Sequence, residues 1–356
     1  MQATGKRALM LTKTASPAFP DRIYSGRRQR IRPVRRFWAN VLNFVLKATV
    51  PRRILLTLIS LSAFLMASSP AHSQSALQAQ MTKIAAATHG PVGAAVIVVE
   101  GGKIVALHGE QRFPMQSVYK LPIGMAILHQ VDLGKLSLTQ KVRITKAELP
   151  LPLHYSAIRV DYPSGGTLTV SKLLEEMICF SDGTACDILL KFAGGPQRVT
   201  AYLRGLGVQN MIVATSEKTM WQNEQVQQYR NWATPEAMVD LLCKLQQGRG
   251  LTQPSRHLLL SLMTSSKTGP NRIKGLLPPG TAVAHKTGSS ETVNGLTRAT
   301  NDAGLVTLPN GRHLAIVVFV SDTRVNEAVQ EAVIAKIARA AWDGRAGLEG
   351  RKRVTR

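Results

Sequence analysis

Cysteine is scarce: three in 356 residues, an odd number, leave no disulfide framework to staple the fold. Cys179 and Cys186 stand seven residues apart in helical-looking sequence. That spacing spreads the pair by ~10 Å along a helix axis, too far to bridge. Cys243, inside "MVDLLCKL", has the setting of a core residue. No C-x-x-C, H-x-H or H-E-x-x-H occurs and the eight histidines are scattered, so neither a redox pair nor a metal site is expected. Aromatic residues are only 5% of the chain. None is interleaved with a basic stripe in the body, which argues against a nucleic-acid partner. Acidic residues are also few, 21 against 45 Lys and Arg. The deficit is uneven. Residues 1–73 hold 13 basic side chains and the single acid Asp21, whereas the remainder holds 32 basic and 20 acidic. Much of the formal +24 therefore belongs to the amino end, with a further share around Arg351-Lys352-Arg353. The long apolar run of a membrane span is missing too. Ile54 to Ala67 is about 14 residues, short of the ~20 that spanning requires.

That short run reads instead as an export signal over residues 1–73. Arg52-Arg53 precede it, and "SSPAHSQ" follows with Ala71-His72-Ser73 as a small-residue cleavage site. The competing reading is an uncleaved anchor. "PRRILL" suits a twin-arginine route and an ordinary secretory signal equally. The basic "RRQRIRPVRR" is long for a signal and suggests a start downstream of Met1. The expectation is a periplasmic or secreted protein with no stable membrane association after cleavage.

With 44% hydrophobic residues the rest is globular. "SALQAQMTKIAAA" predicts an opening helix, and "PVGAAVIVVEGGKIVALHG" a hairpin turned at Gly101-Gly102. From Ser117 to about Met263 the pattern is mostly helical, with segments that start at Thr, Ser or Pro and stop at Gly. Strands return in "TAVAHKTGS" and "NDAGLVTLPNGRHLAIVVFVSD", before a last helix "EAVQEAVIAKIARAAW". The predicted organisation is a mixed α/β domain from residues 74–115 and 265–344. A helical domain, 116–264, is inserted into it, and a basic tail, 345–356, follows. No internal repeat is visible, and a monomer is expected.

Three short stretches carry chemistry. In "RFPMQSVYKLP", Ser117 and Lys120 are three apart at a helix start, so their side chains share a face. A serine hydroxyl attacks only when a base takes its proton, and a lysine amine can be that base. In "CFSDGTACD", Ser181 lies in a turn between helical segments, where its hydroxyl can pass a proton. Asp182 beside it suits tying the turn together. Lys-Thr-Gly occurs twice, nineteen residues apart. The copy Lys267-Thr268-Gly269 follows a helix and runs into Pro270, which reads as a helix stop. The copy Lys286-Thr287-Gly288 follows "TAVAH" and reads as a strand. There Lys286 and Thr287 offer a charge and a hydroxyl to a carboxylate, and Gly288 permits close approach. The backbone N–H of Ser289 is then placed to stabilise an oxyanion.

Ser117-x-x-Lys120, Ser181-Asp182-Gly183 and Lys286-Thr287-Gly288, in this order, resemble the signature of the penicillin-recognising serine enzymes. Within that group residues 78–343 resemble a class A β-lactamase. "TGPNRIKGLLPPGTAVAHKTG" and "ATNDAGLVTLPNGR" are similar to the PER-like extended-spectrum branch. The resemblance implies an α/β (α+β) fold, with a five-stranded antiparallel sheet flanked by helices and an all-helical subdomain. It implies small-molecule β-lactam substrates, a serine acyl-enzyme and no cofactor. It also implies a glutamate that positions the deacylating water. Glu217 and Glu224 are the candidates, and Glu217, 36 residues after Ser181, has the usual spacing. Arg272, fourteen residues before Lys286, is implied to support the substrate carboxylate. Tyr155 in "LPLHYSAI" resembles the aromatic at the cleft mouth. Two positions depart from the pattern. Gly183 stands where the family has Asn, so a wider pocket is expected there. Trp221 stands where many class A loops have Asn, so the loop folds differently or another group orients the water. The same three motifs serve a D-alanyl-D-alanine peptidase and a non-enzymatic β-lactam sensor, neither of which needs Glu217.

Overall fold

Alternation in the apolar strands decides how this chain layers. The computed structural model describes residues 70–150 and 156–345. These lie in the second of two compact units, Ala63–Arg356; the first, Met1–Ser62, lies outside the described residues. The central strand His313–Val320 sends Ala315, Val317 and Phe319 to one face and Leu314, Ile316, Val318 and Val320 to the other. Successive side chains of a strand point to opposite faces, so one apolar run serves two cores. The sheet has five antiparallel strands in the order Val105–Leu107, Val92–Val98, His313–Val320, Thr300–Thr307, Val283–Ser289. On one face, Leu77 and Met81 of the first helix, Pro70–Ala85, join Ile334, Ile337 and Trp342 of the last, Glu327–Asp343. The other face packs on the helical block, whose centre is the buried helix Lys120–Asp132.

The helices begin where side-chain oxygens can take up free backbone donors. Thr169 accepts from Lys172 N at 3.2 Å, Asp182 from Ala185 N at 2.8 Å, and Thr234 from Ala237 N at 3.2 Å. The region expected to be mostly helical also contains strands. A hairpin pairs Lys141–Thr145 with Gly165–Thr169, and Trp232–Ala233 lies between Phe113–Pro114 and Met211–Ile212. The hairpin's first strand alternates exposed and buried residues, which is the two-residue period of a half-buried strand.

Among the described residues no helix is long and apolar enough to cross a membrane. The apolar run of the expected signal lies outside them, as do Tyr155 and the tail from residue 346. The expected cleavage point Ala71-His72-Ser73 falls in the first turn of the helix Pro70–Ala85.

Candidate active site

Ser117 sits in a single 3-10 turn, Gln116–Tyr119, that runs directly into the helix Lys120–Asp132. The residue before it, Gln116, has φ 46°, a left-handed conformation that costs a non-glycine residue energy. Its amide donates to Gln228 Oε1 at 2.7 Å, one of the contacts that hold the turn. Lys120 spends its three ammonium protons in three directions. Nζ donates to Ser117 Oγ at 2.9 Å and to the Ser181 carbonyl at 2.7 Å, and pairs with Glu217 Oε1 at 2.8 Å. Tyr119 O–H donates to the same carboxylate oxygen at 3.0 Å. Burial presses the Lys120 pKa down, but the Glu217 carboxylate, with Cys186 and Asp182 added, more than offsets it and the net shift is upward.

Ser181 is also left-handed, with φ 61°, and this turns its hydroxyl toward the sheet. Lys286 Nζ donates to Ser181 Oγ at 2.9 Å and to the Thr287 carbonyl at 3.0 Å. Lys286 is fully buried, and burial, with the Lys120 charge added, pushes its pKa down to about 7. Asp182 ties the turn as expected, accepting from Ser156 Oγ at 2.7 Å and Ile158 N at 3.1 Å.

The strand Val283–Ser289 lies against the nucleophile turn. A Cβ at Gly288 would lie 2.5 Å from the Met115 carbonyl oxygen and 3.0 Å from Ser117 N, so only glycine fits. Asn301, opposite Gly288 in the sheet, donates to the carbonyls of Pro114 at 2.7 Å and Met115 at 3.1 Å, fixing that approach. The strand end that carries Gly288 and Ser289 is thereby held against the turn that carries Ser117. Gly288→Ala is expected to force them apart and cut kcat by ~10²–10³, the range for losing one oxyanion donor. Steady-state rates on the fraction that remains folded, set against its thermal unfolding, would check it.

Glu217 opens the short helix Glu217–Gln222, capped by Ser216. Asp187 holds its start, accepting from Glu217 N at 2.7 Å and Lys218 N at 2.8 Å. Burial, then the Glu217 charge, push the Asp187 pKa up to about 6. Asn231 clamps the same loop, accepting from Ala214 N and Thr215 N at 2.8 and 3.0 Å. Sequence reasoning did not reach Asp187, Asn231 or Asn301. The available signal for Asp187 was an acid inside the apolar run "ACDILL". Among the described residues no group of three or more His, Cys, Asp or Glu side chains is gathered as a metal site.

A buried lysine thus bridges a serine hydroxyl and a carboxylate, beside a second serine and a Lys-Thr-Gly strand. The model of the β-lactamase enzyme family matches residues 76–344. The chain belongs to that family. It is 38% identical to the extended-spectrum β-lactamase PER-1 of Pseudomonas aeruginosa over 303 residues, 85% of this chain and 96% of that one. To the β-lactamase VEB-1 of the same organism it is 37% identical over 296 residues, 83% and 98% of the two chains. Among solved structures, a β-lactamase from Chitinophaga pinensis superposes with a TM-score of 0.74 at 48% identity. The match covers 76% of this chain and 99% of that one. A class A β-lactamase from Bacteroides cellulosilyticus gives 0.73 at 31% identity, covering 78% and 99%. The protein is a class A serine β-lactamase in fold and in enzyme type.

Three further contacts of this β-lactamase join segments distant in sequence. Arg272 is buried beside the Lys-Thr-Gly strand, not displayed on the surface. It donates to Ser289 Oγ at 2.7 Å, to the carbonyl of Asn301 at 3.0 Å and to Glu331 Oε1 at 3.0 Å. The first Lys-Thr-Gly copy is more than a helix stop. The helix Gln253–Thr264 ends three residues before Lys267, and the Thr268 and Thr287 hydroxyls are hydrogen-bonded at 2.6 Å. Third, the space beside Gly183 is filled: the Trp221 indole occupies it, so the expected widening is not found.

Proposed function

We propose that this β-lactamase opens penicillins and cephalosporins at Ser117 by two-step acyl transfer, with Glu217 as the base of both steps. The observation that carries the assignment is the Glu217–Lys120–Ser117 chain. An ammonium that donates to Ser117 Oγ has no lone pair for that hydroxyl's proton. The carboxylate, acting through a water, is left as the acceptor. Ser117 Oγ bonds to the β-lactam carbonyl carbon, and the backbone N–H groups of Ser117 and Ser289 hold the oxyanion. As the C–N bond breaks, Ser181 passes its proton to the ring nitrogen and is reprotonated from Lys120, which recovers its proton from the protonated Glu217 and leaves that carboxylate free for the second step. Glu217 then takes a proton from water, whose oxygen attacks the ester, and the proton returns by way of Lys120 to Ser117 Oγ as the ester C–O bond breaks. Lys286 and Thr287 receive the substrate carboxylate. Arg272 supports it through Ser289.

The wider reading includes export by the amino-terminal signal, a periplasmic or secreted monomer, and β-lactam resistance in cells that make it. The helical part, 116–264, and the mixed part, 74–115 with 265–344, form the two walls of the cleft. The test is hydrolysis of a chromogenic cephalosporin through the pre-steady state. Sustained turnover, lost in Ser117→Ala, supports the reading. A burst of one equivalent followed by a stall would point to a penicillin-binding or sensing protein and sink the Glu217 assignment.

Lys286 gives a pH signature. Its charged form attracts the substrate carboxylate, and with a pKa of about 7 that form is lost as pH rises through neutrality. The profile of kcat/KM, which reports the free enzyme, should fall on an alkaline limb near pH 7. Lys286→Arg, charged throughout, should lower the rate yet flatten that limb.

A further inference from the structure

Gly183 and Trp221 are 38 residues apart in sequence and share one space in the fold. A Cβ added at Gly183 would lie 2.7 Å from Cζ2 and 3.0 Å from Cη2 of the Trp221 indole. Both atoms belong to the far, six-membered edge of the ring. The next atom met is Glu217 Cγ, at 3.5 Å. The indole edge, the bare Gly183 backbone and the catalytic carboxylate's stem therefore form one contact.

The helix geometry makes that contact consequential. Trp221 follows Glu217 by four residues in the helix Glu217–Gln222, and residues at that spacing lie on the same face, one turn apart. The helix is short, and Asp187 holds it at its start. Gly183, in contrast, opens the helix Gly183–Phe192, whose first turn is buried and tied through Asp182 to Ser156 and Ile158. A side chain at 183 thus meets a fixed backbone on one side and a rigid ring on the other. A ring with two side-chain torsions yields mainly by moving with its helix, and that helix carries Glu217.

We infer that Trp221 is a positioning residue for deacylation: seated on Gly183, its indole holds Glu217 at the angle that aims the carboxylate at the attacking water. Glycine at 183 and tryptophan at 221 are then one device, a ring and the vacancy it needs. Each of the two departures from the family pattern is the reason the other is tolerated. The inference rests on the hydrolase reading above and adds to it a dependence between two positions.

The experiment is a double-mutant cycle read in the two chemical steps separately. Gly183→Ala adds only the clashing Cβ, and Trp221→Phe removes the ring edge that it meets. Acylation is followed by quenched-flow mass spectrometry with a cephalosporin, and deacylation by the decay of the covalent adduct. Gly183→Ala alone is expected to slow deacylation at least tenfold, and acylation, which uses the same carboxylate through a water, by a smaller factor. Trp221→Phe alone, loosening the helix, should slow deacylation by a similar factor. The double variant should recover to within threefold of the parent. Gly183→Asn with Trp221→Asn repeats the cycle with a pair of amides and should show the same reciprocal rescue.

Two results would overturn the inference. One is a double variant whose deacylation loss is the product of the single losses. The other is a Gly183→Ala variant slowed only in acylation. If either single variant unfolds, the adduct lifetime of the double variant still decides, because rescue requires both changes. The unaltered protein is the control: if it fails to turn over, the hydrolase reading fails. A parent that turns over without coupling between the two positions removes only this inference.

Discussion

Glu217→Gln is expected to leave a protein that acylates at Ser117 and then stops, with a burst of about one equivalent and kcat lowered by ~10²–10⁴, the range for losing a positioned general base. The asymmetry between the two steps follows from the Lys120 environment. Its ammonium persists in a buried site because the Glu217 carboxylate lies 2.8 Å away. When that charge is removed, the remaining influence of burial favours the neutral amine. An amine within 2.9 Å of Ser117 Oγ can accept the hydroxyl proton itself, so acylation has a second base. Deacylation has none. Lys120 is aimed at the serine oxygen, which by then is an ester. Intact-mass measurement seconds after mixing with a penicillin should show the whole population shifted by one substrate mass. Turnover above a tenth of the parent rate would sink the assignment of Glu217.

What the sequence makes legible is local. Ser117 and Lys120 are three residues apart, and helix geometry alone places their side chains together, as the 2.9 Å contact shows. The caps at Thr169, Asp182 and Thr234 were readable for the same reason, since donor and acceptor lie within three residues. Contacts between distant segments were not. Gly183 and Trp221, read one at a time, give a gap and a lost amide; read in space, each fills the other. The first Lys-Thr-Gly copy was understandable as a helix stop, yet the fold lays Thr268 on Thr287 across nineteen residues of chain. Asn301 acts through sheet register, opposite Gly288, and register is a property of two strands at once. Asp187 faces a loop that starts 30 residues later, and nothing in its own helix announces that partner.

Lys120→Met separates the cost of the site from its use. Methionine keeps the length of the stem but cannot donate to Ser117, Ser181 or Glu217. Activity should fall by at least ~10⁴, because the serine loses its activating neighbour and the base loses the cation that orients it. Stability should fall as well. The Glu217 side chain is only 7% exposed, and without Lys120 it keeps the Tyr119 hydroxyl as its neighbouring donor. Breaking one side of a buried pair costs ~3–5 kcal/mol, because the other charge is left uncompensated. For a domain of this size that corresponds to a Tm lower by on the order of 10 °C. Adding Glu217→Gln removes the stranded charge. The Lys120→Met/Glu217→Gln protein should regain most of the lost Tm while remaining inactive. Calorimetry on the parent, both single variants and the double would show it. If the double unfolded as early as Lys120→Met alone, the lost stability would belong to the packing of the lysine stem and not to the charge pair. Recovery without activity would mean that the buried pair is maintained for chemistry, at a cost the fold can be relieved of by neutralising both partners.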